Sequence, residues 1–215
     1  MRIGGSHGKE RQYLNPMNIG VIASHEGTNL QAVIDACESG ALQANVSVVI
    51  SNNSGSGALQ RAKRHAIPFC HLSSATHPDT TELDQATCRA LEKHEVDVVL
   101  LAGYMRKLGP HTLKEFQGRV LNTHPALLPK FGGQGMYGRR VHEAVLAAGE
   151  AISGVSIHIV DEEYDTGPVI AQCEVPVAAE DTVDSLTERI RTKERAFVVQ
   201  TLQQIADGSI TLPAG

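Results

Sequence analysis

From Asn18 to about residue 124 the chain alternates short β-branched runs with stretches whose apolar residues recur at helical spacing. Asn18–Ser24, Val46–Ile50, Ile67–Leu72, Val96–Ala102 and Val120–Asn122 read as strands. Thr28–Ser39, Ala58–His65, Thr81–His94 and Pro110–Phe116 read as helices. Such alternation builds βαβ units, because a parallel strand is reached only through a crossover. The expected class is α/β: an open, mostly parallel, doubly wound sheet with helices on both faces. Beyond residue 124 the pattern changes. Residues 125–138 are rich in Pro and Gly, and Val141–Ala148 is helical. Gly154–Val160 and Val169–Pro176 form an antiparallel C-terminal hairpin around the acidic turn 161–167. A last helix follows from a Thr182 cap to Ala206.

The 215 residues bury a sizeable core without disulfides, and 41% hydrophobic with 20% charged residues excludes wholesale disorder. A net charge of -5 disfavours a protein that lives on nucleic acid. No apolar run approaches the roughly 18 residues a membrane helix requires. Cys37, Cys70, Cys88 and Cys173 are scattered, which gives neither a zinc ribbon nor a disulfide framework. With no apolar signal segment at the start, the expectation is a cytoplasmic chain. Residues 1–16 read as a loosely ordered leader and 17–215 as a single domain.

Three segments carry chemistry. Ser24–Asn29 joins the first strand to the first helix, where ligands of open α/β sheets bind. A helix N-terminus there presents unpaired N–H groups and a positive dipole end to a phosphate; Gly27 admits close approach, and Thr28 and Asn29 add donors. The segment fits neither a dinucleotide fingerprint nor a Walker loop. Asn122–Pro129 places an amide and an imidazole two residues apart, so that Asn122 and His124 of an extended strand face one cavity and can stabilise an oxyanion. In Glu162–Pro168, an Asp165 beside His124 is expected to raise the imidazole pKa and keep it protonated. Taken singly, each segment is also an ordinary structural element: a capped turn, a core histidine, a solvated acidic hairpin. No zinc-ligand spacing and no nucleophile elbow is present, so neither a metal nor a serine nucleophile is expected.

In this order, Ser24–Asn29, Leu100–Arg106, Asn122–Pro129 and Asp165–Ile170 resemble the phosphoribosylglycinamide formyltransferase family, over about residues 17–212. The resemblance implies transfer of a formyl group from 10-formyltetrahydrofolate, as co-substrate, to the amine of glycinamide ribonucleotide in purine synthesis. It implies a nucleotide-binding half (17–124) and a folate-site half (125–215). By position, Asn122, His124 and Asp165 match the catalytic residues. Gly27, Thr28, Asn29, Arg191 and Glu194 match the ribonucleotide site. Met105, Arg106, Lys107 and Leu108, with Asn122, match the folate pocket. Small molecules are the implied partners of a monomer or homodimer, with no metal, nucleic acid or membrane.

The chain departs from the family at His25 and Glu26, where glycine usually follows the loop serine, and a carboxylate near a phosphate is unfavourable. A basic residue often used for folate is absent near Thr80. Lys130–Gly138 is long and glycine-rich and is expected to form a mobile loop over the site. The alternatives are a formyltetrahydrofolate hydrolase and a non-catalytic folate- or nucleotide-binding module. Methionyl-tRNA formyltransferase carries a C-terminal domain for which the chain leaves no room, and the deformylase an N-terminal domain that 16 residues cannot supply.

Overall fold

The computed structural model describes residues 16–213, so most of the expected leader, residues 1–15, lies outside the described residues. The elements run β1 (Met17–Ala23), α1 (Thr28–Glu38), β2 (Ala44–Ser51), α2 (Gly57–Arg64), β3 (Phe69–His71), α3 (Thr80–Lys93), β4 (Val98–Leu101), α4 (Pro110–Glu115), β5 (Val120–His124), α5 (Arg139–Ala147), β6 (Ile152–Ile159), β7 (Val169–Pro176) and α6 (Val183–Ala206). One seven-stranded sheet has the order β3-β2-β1-β4-β5-β6-β7. The strands from β3 to β5 pair in parallel; β6 is antiparallel to both β5 and β7. The expected doubly wound sheet with a C-terminal hairpin is the fold observed.

Strand alternation divides the core into two layers. Ile19, Val21 and Ala23 of β1 and Val98 and Leu100 of β4 pack on one face with Leu30, Ile34, Leu186 and Phe197 from α1 and α6. Ile22, Val99 and Leu101 point to the other face, against Leu91 of α3 and Phe116 beside α4. Each strand is thus apolar on both sides, as a covered parallel sheet requires. The sheet reverses its order between β1 and β4, and the loops leaving both strands meet there. Ser24 Oγ accepts a 3.0 Å hydrogen bond from the Met105 N–H.

Several boundaries differ from the sequence expectation by one or two residues, and two of them have a clear physical cause. β4 begins at Val98 rather than Val96: Glu95 takes φ 50°, and the Val96 N–H returns to the Leu91 carbonyl at 3.2 Å to finish α3. β5 continues to His124, because Asn122, Thr123 and His124 pair with His158, Ile157 and Ser156 of β6.

Candidate active site

The Ser24–Gly27 loop leads into α1. Gly27 takes φ 68° and ψ 41°, a left-handed conformation that glycine adopts without strain, and no side chain caps the helix. The first N–H groups of α1 are therefore not satisfied by a local side chain. Asn29 is buried and hydrogen-bonds Glu194 of α6. Glu194 also accepts from Thr123 Oγ1 at 2.6 Å. Burial pushes the Glu194 pKa up, opposed by those two hydrogen bonds and by the charges of Arg191 and Arg195. Gly27, Asn29, Arg191 and Glu194, expected as one group from distant stretches, are gathered at this end of the sheet. Thr28 is exposed at the helix start. The Glu26 carboxylate is seated at the start of α2 instead, with Oε2 2.7 Å from where a Cβ on Gly57 would stand. There a second helix N-terminus offsets its charge.

Thr123 points toward α6, and its neighbours in β5 turn the other way. Asn122 Nδ2 lies 3.1 Å from His158 Nε2. His158 Nδ1–H donates to its neighbour's carbonyl, that of Ile159, at 3.0 Å, which leaves Nε2 as the acceptor for the Asn122 amide. Asp165 bridges the two imidazoles: Oδ2 is 3.4 Å from His124 Nδ1 and Oδ1 is 3.4 Å from His158 Nε2. Its backbone is held at φ 58°, a region that Asp tolerates better than most residues.

The glycine-rich loop is fastened to this cluster by its main chain. His124 Nε2–H donates to the Phe131 carbonyl at 2.7 Å, and the Gly133 N–H donates to Asp165 Oδ2 at 3.0 Å. A Cβ on Gly132 would stand 2.5 Å from Leu128 Cδ2 and 3.3 Å from Asp165 Cβ, so any other residue there forces the Leu128 side chain to shift.

The electrostatics correct one expectation. Burial drives the His124 pKa below its ordinary value, more strongly than the Asp165 charge and the Phe131 carbonyl raise it. Asp165 does stand beside His124, but desolvation outweighs its charge, and the shift runs downward rather than upward. For Asp165 itself burial works upward; the two flanking imidazole rings, His158 and His124, and the Gly133 N–H outweigh it and hold the carboxyl below its usual range.

Asn122, His158 and Asp165 open onto a cavity of about 60 Å³ walled by Leu101, Tyr104, Arg106, Lys107, Leu108 and the acidic loop 161–164. Of the expected folate residues, Arg106, Lys107, Leu108 and Asn122 line it; Met105 stands outside it, 37% exposed. His124 does not share this cavity with Asn122 as expected: it lies behind Asp165, 3% exposed. Lys107 ties the acidic loop down, donating to the Glu162 carbonyl at 2.9 Å and to Glu163 at 3.0 Å, with its ammonium 5.0 Å from the centre of the Tyr164 ring. A larger groove, about 650 Å³, runs between β7 and α6 but contains none of these residues. The smaller cavity is the candidate site, because the convergent polar groups are there.

Sequence reasoning missed His158 and His142. His142, on α5, is 2% exposed, and its Nδ1 has no hydrogen-bond partner among the described residues. Burial, the Arg191 charge and His124 lower its pKa to about 4. The signal for His158 was available: an ionisable residue in a strand whose other positions are apolar or small. Among the described residues no group of three or more His, Cys, Asp or Glu side chains is placed to hold a metal, and no helix is long and apolar enough to cross a membrane.

The formyl transferase family model matches residues 17–202, and the chain belongs to that family. Relatives of comparable length include phosphoribosylglycinamide formyltransferases. It is 37% identical to the enzyme of Escherichia coli strain K12 over 91% of this chain and 90% of that one. It is equally 37% identical to the chloroplastic enzyme of Vigna unguiculata, over 89% of this chain but only 62% of that longer protein. The crystal structure of glycinamide ribonucleotide transformylase 1 from Symbiobacterium toebii superposes with a TM-score of 0.85 at 36% identity, covering 97% of both chains.

Proposed function

We propose that the chain transfers the formyl group of 10-formyltetrahydrofolate directly to the amine of glycinamide ribonucleotide. The observation that carries this reading is the Asn122–His158–Asp165–His124 cluster beside the uncapped, glycine-led start of α1. In this reading the second half of that pairing is a phosphate cradle; the first is a polar cluster that presents the Asn122 amide at the wall of one small cavity.

In this reading the N–H groups of α1 and Asn29 hold the ribonucleotide phosphate end, with Arg191 adding charge, and Glu194 accepts from the ribose. The neutral amine attacks the formyl carbon, a C–N bond forms, and negative charge grows on the formyl oxygen. Asn122 gives that oxygen its second N–H, the first being spent on His158. His124 contributes Nε2–H once substrate takes the place of the Phe131 carbonyl. Asp165 then stabilises the imidazole as charge develops on it, and protons pass from the attacking nitrogen toward the departing folate nitrogen as its bond to carbon breaks. The pterin enters where the loop 161–165 closes the cavity. A site of 60 Å³ is well short of the roughly 300 Å³ of a small-molecule pocket, so this loop moves on binding.

The deciding experiment is a formyl-transfer assay with each substrate withheld in turn. Formylated ribonucleotide formed only with both present supports the reading. Folate deformylation without the ribonucleotide replaces it with a hydrolase, and binding without turnover replaces it with a carrier module.

A further inference from the structure

We infer that Arg61, on α2 and outside the groups described so far, is a positioning residue for the phosphate cradle. The inference rests on the reading of the α1 N-terminus as that cradle. The guanidinium straddles Gly27: Nε donates to the Glu26 carbonyl at 2.8 Å, and Nη1 donates to Gln31 Oε1 at 2.8 Å. One planar group thus joins the residue before the glycine to the first turn of the helix after it.

The consequence is electrostatic. A loop that receives an anion must turn its N–H dipoles toward the ligand and its carbonyls away. Here both loop carbonyls are drawn toward α2: that of His25 by the Ala58 N–H at 3.1 Å, that of Glu26 by Arg61. Glycine at 27 leaves this turn intrinsically free, and α1 has no side-chain cap to fix it. The fixing comes from outside the loop. Gln31 is itself oriented, because its amide Nε2 is committed to Asp35 Oδ1 at 2.7 Å and to His65 Nε2 at 3.1 Å. The His65 Nδ1–H is engaged in turn by Glu38 at 2.7 Å. Only the Gln31 oxygen remains to face Arg61, so the guanidinium has one resting place. A lysine cannot reproduce it, since one ammonium on a flexible stem does not offer two fixed, diverging donors.

The test compares Arg61→Ala, Arg61→Lys and Asn29→Ala by steady-state kinetics in both substrates, with melting temperatures. Arg61→Ala should raise KM for the ribonucleotide about tenfold, the weight of a lost charge-assisted hydrogen bond, with kcat and the folate KM little changed. Arg61→Lys should keep most of that defect. Inorganic phosphate, as a competitive inhibitor, should weaken in parallel. An unmoved ribonucleotide KM in Arg61→Ala while Asn29→Ala raises it overturns the role of Arg61 alone. Both variants leaving it unmoved overturns the cradle reading and this inference with it. Equal rises in both KM values with a lowered melting temperature would make Arg61 merely structural. Full recovery in Arg61→Lys would make its charge, not its placement, the active element.

Discussion

Asn122 and His158 stand directly opposite each other on β5 and β6, and the antiparallel register of those strands brings the Asn122 amide to 3.1 Å from His158 Nε2. The pairing fixes which way the amide faces, because the histidine tautomer is set by its own bond to the Ile159 carbonyl. The proposed oxyanion donor is therefore aimed by a strand partner distant in sequence.

Replacing His158 with Phe keeps the ring volume and removes the acceptor. Turnover should fall about 100-fold, the scale of misplacing a reacting group, with the ribonucleotide KM little changed. Single-turnover formyl transfer checks this; a rate within a few-fold of the parent chain would show that Asn122 needs no such partner.

Asp165→Asn retains shape and removes the charge between two imidazoles. The expected loss in turnover is roughly 100- to 10,000-fold, with ribonucleotide affinity preserved, because the carboxylate acts on His124 rather than on the phosphate end. Isothermal titration with the ribonucleotide beside the kinetics separates the two quantities.

Stability should decline on mild acidification. His142 has a folded pKa near 4 against an ordinary 6.5, so the unfolded chain binds the extra proton first. Stability contributed by neutral His142 is complete above about pH 6.5 and is lost as the pH falls toward 4, by roughly 3 kcal/mol at most. His124 is shifted in the same direction. Melting curves should therefore show a smaller drop between pH 7.5 and 5 in His142→Gln than in the parent, with the His124 share remaining.

Ser156→Ala should destabilise the chain by about 1–3 kcal/mol in urea unfolding. The hydroxyl donates to the Ala126 carbonyl at 2.6 Å and accepts from the Leu128 N–H at 2.9 Å and from Gln172 at 2.8 Å. Its removal leaves those buried groups unpaired where the chain leaves β5.

The fold was legible because period-two and helical spacings hardly overlap in this chain, and the β-branched run ending in Leu101 admits one reading. The start of that strand was not, since a helix ending depends on the backbone of Glu95 rather than on apolar pattern. The cluster was legible only through the order of its motifs: nothing in the sequence between the two residues brings Asp165 to His124. The direction of the His124 pKa shift was misjudged because a neighbouring carboxylate can be read from a motif, whereas desolvation depends on everything packed around the ring. His142 stayed hidden for a similar reason, as a helix position between Val141 and Val145 shows nothing of the Arg191 charge that reaches it.

The clasp between residues 131–133 and the reacting cluster is made by a carbonyl and an N–H, atoms that nearly every residue type possesses. Exchanging exposed side chains farther along, such as Tyr137, leaves both bonds available. Adding or deleting a single residue before Gly133 carries them out of reach. Outside its glycines, whose backbone positions restrict what can replace them, this segment therefore tolerates rewriting of its letters far better than any change in how many there are.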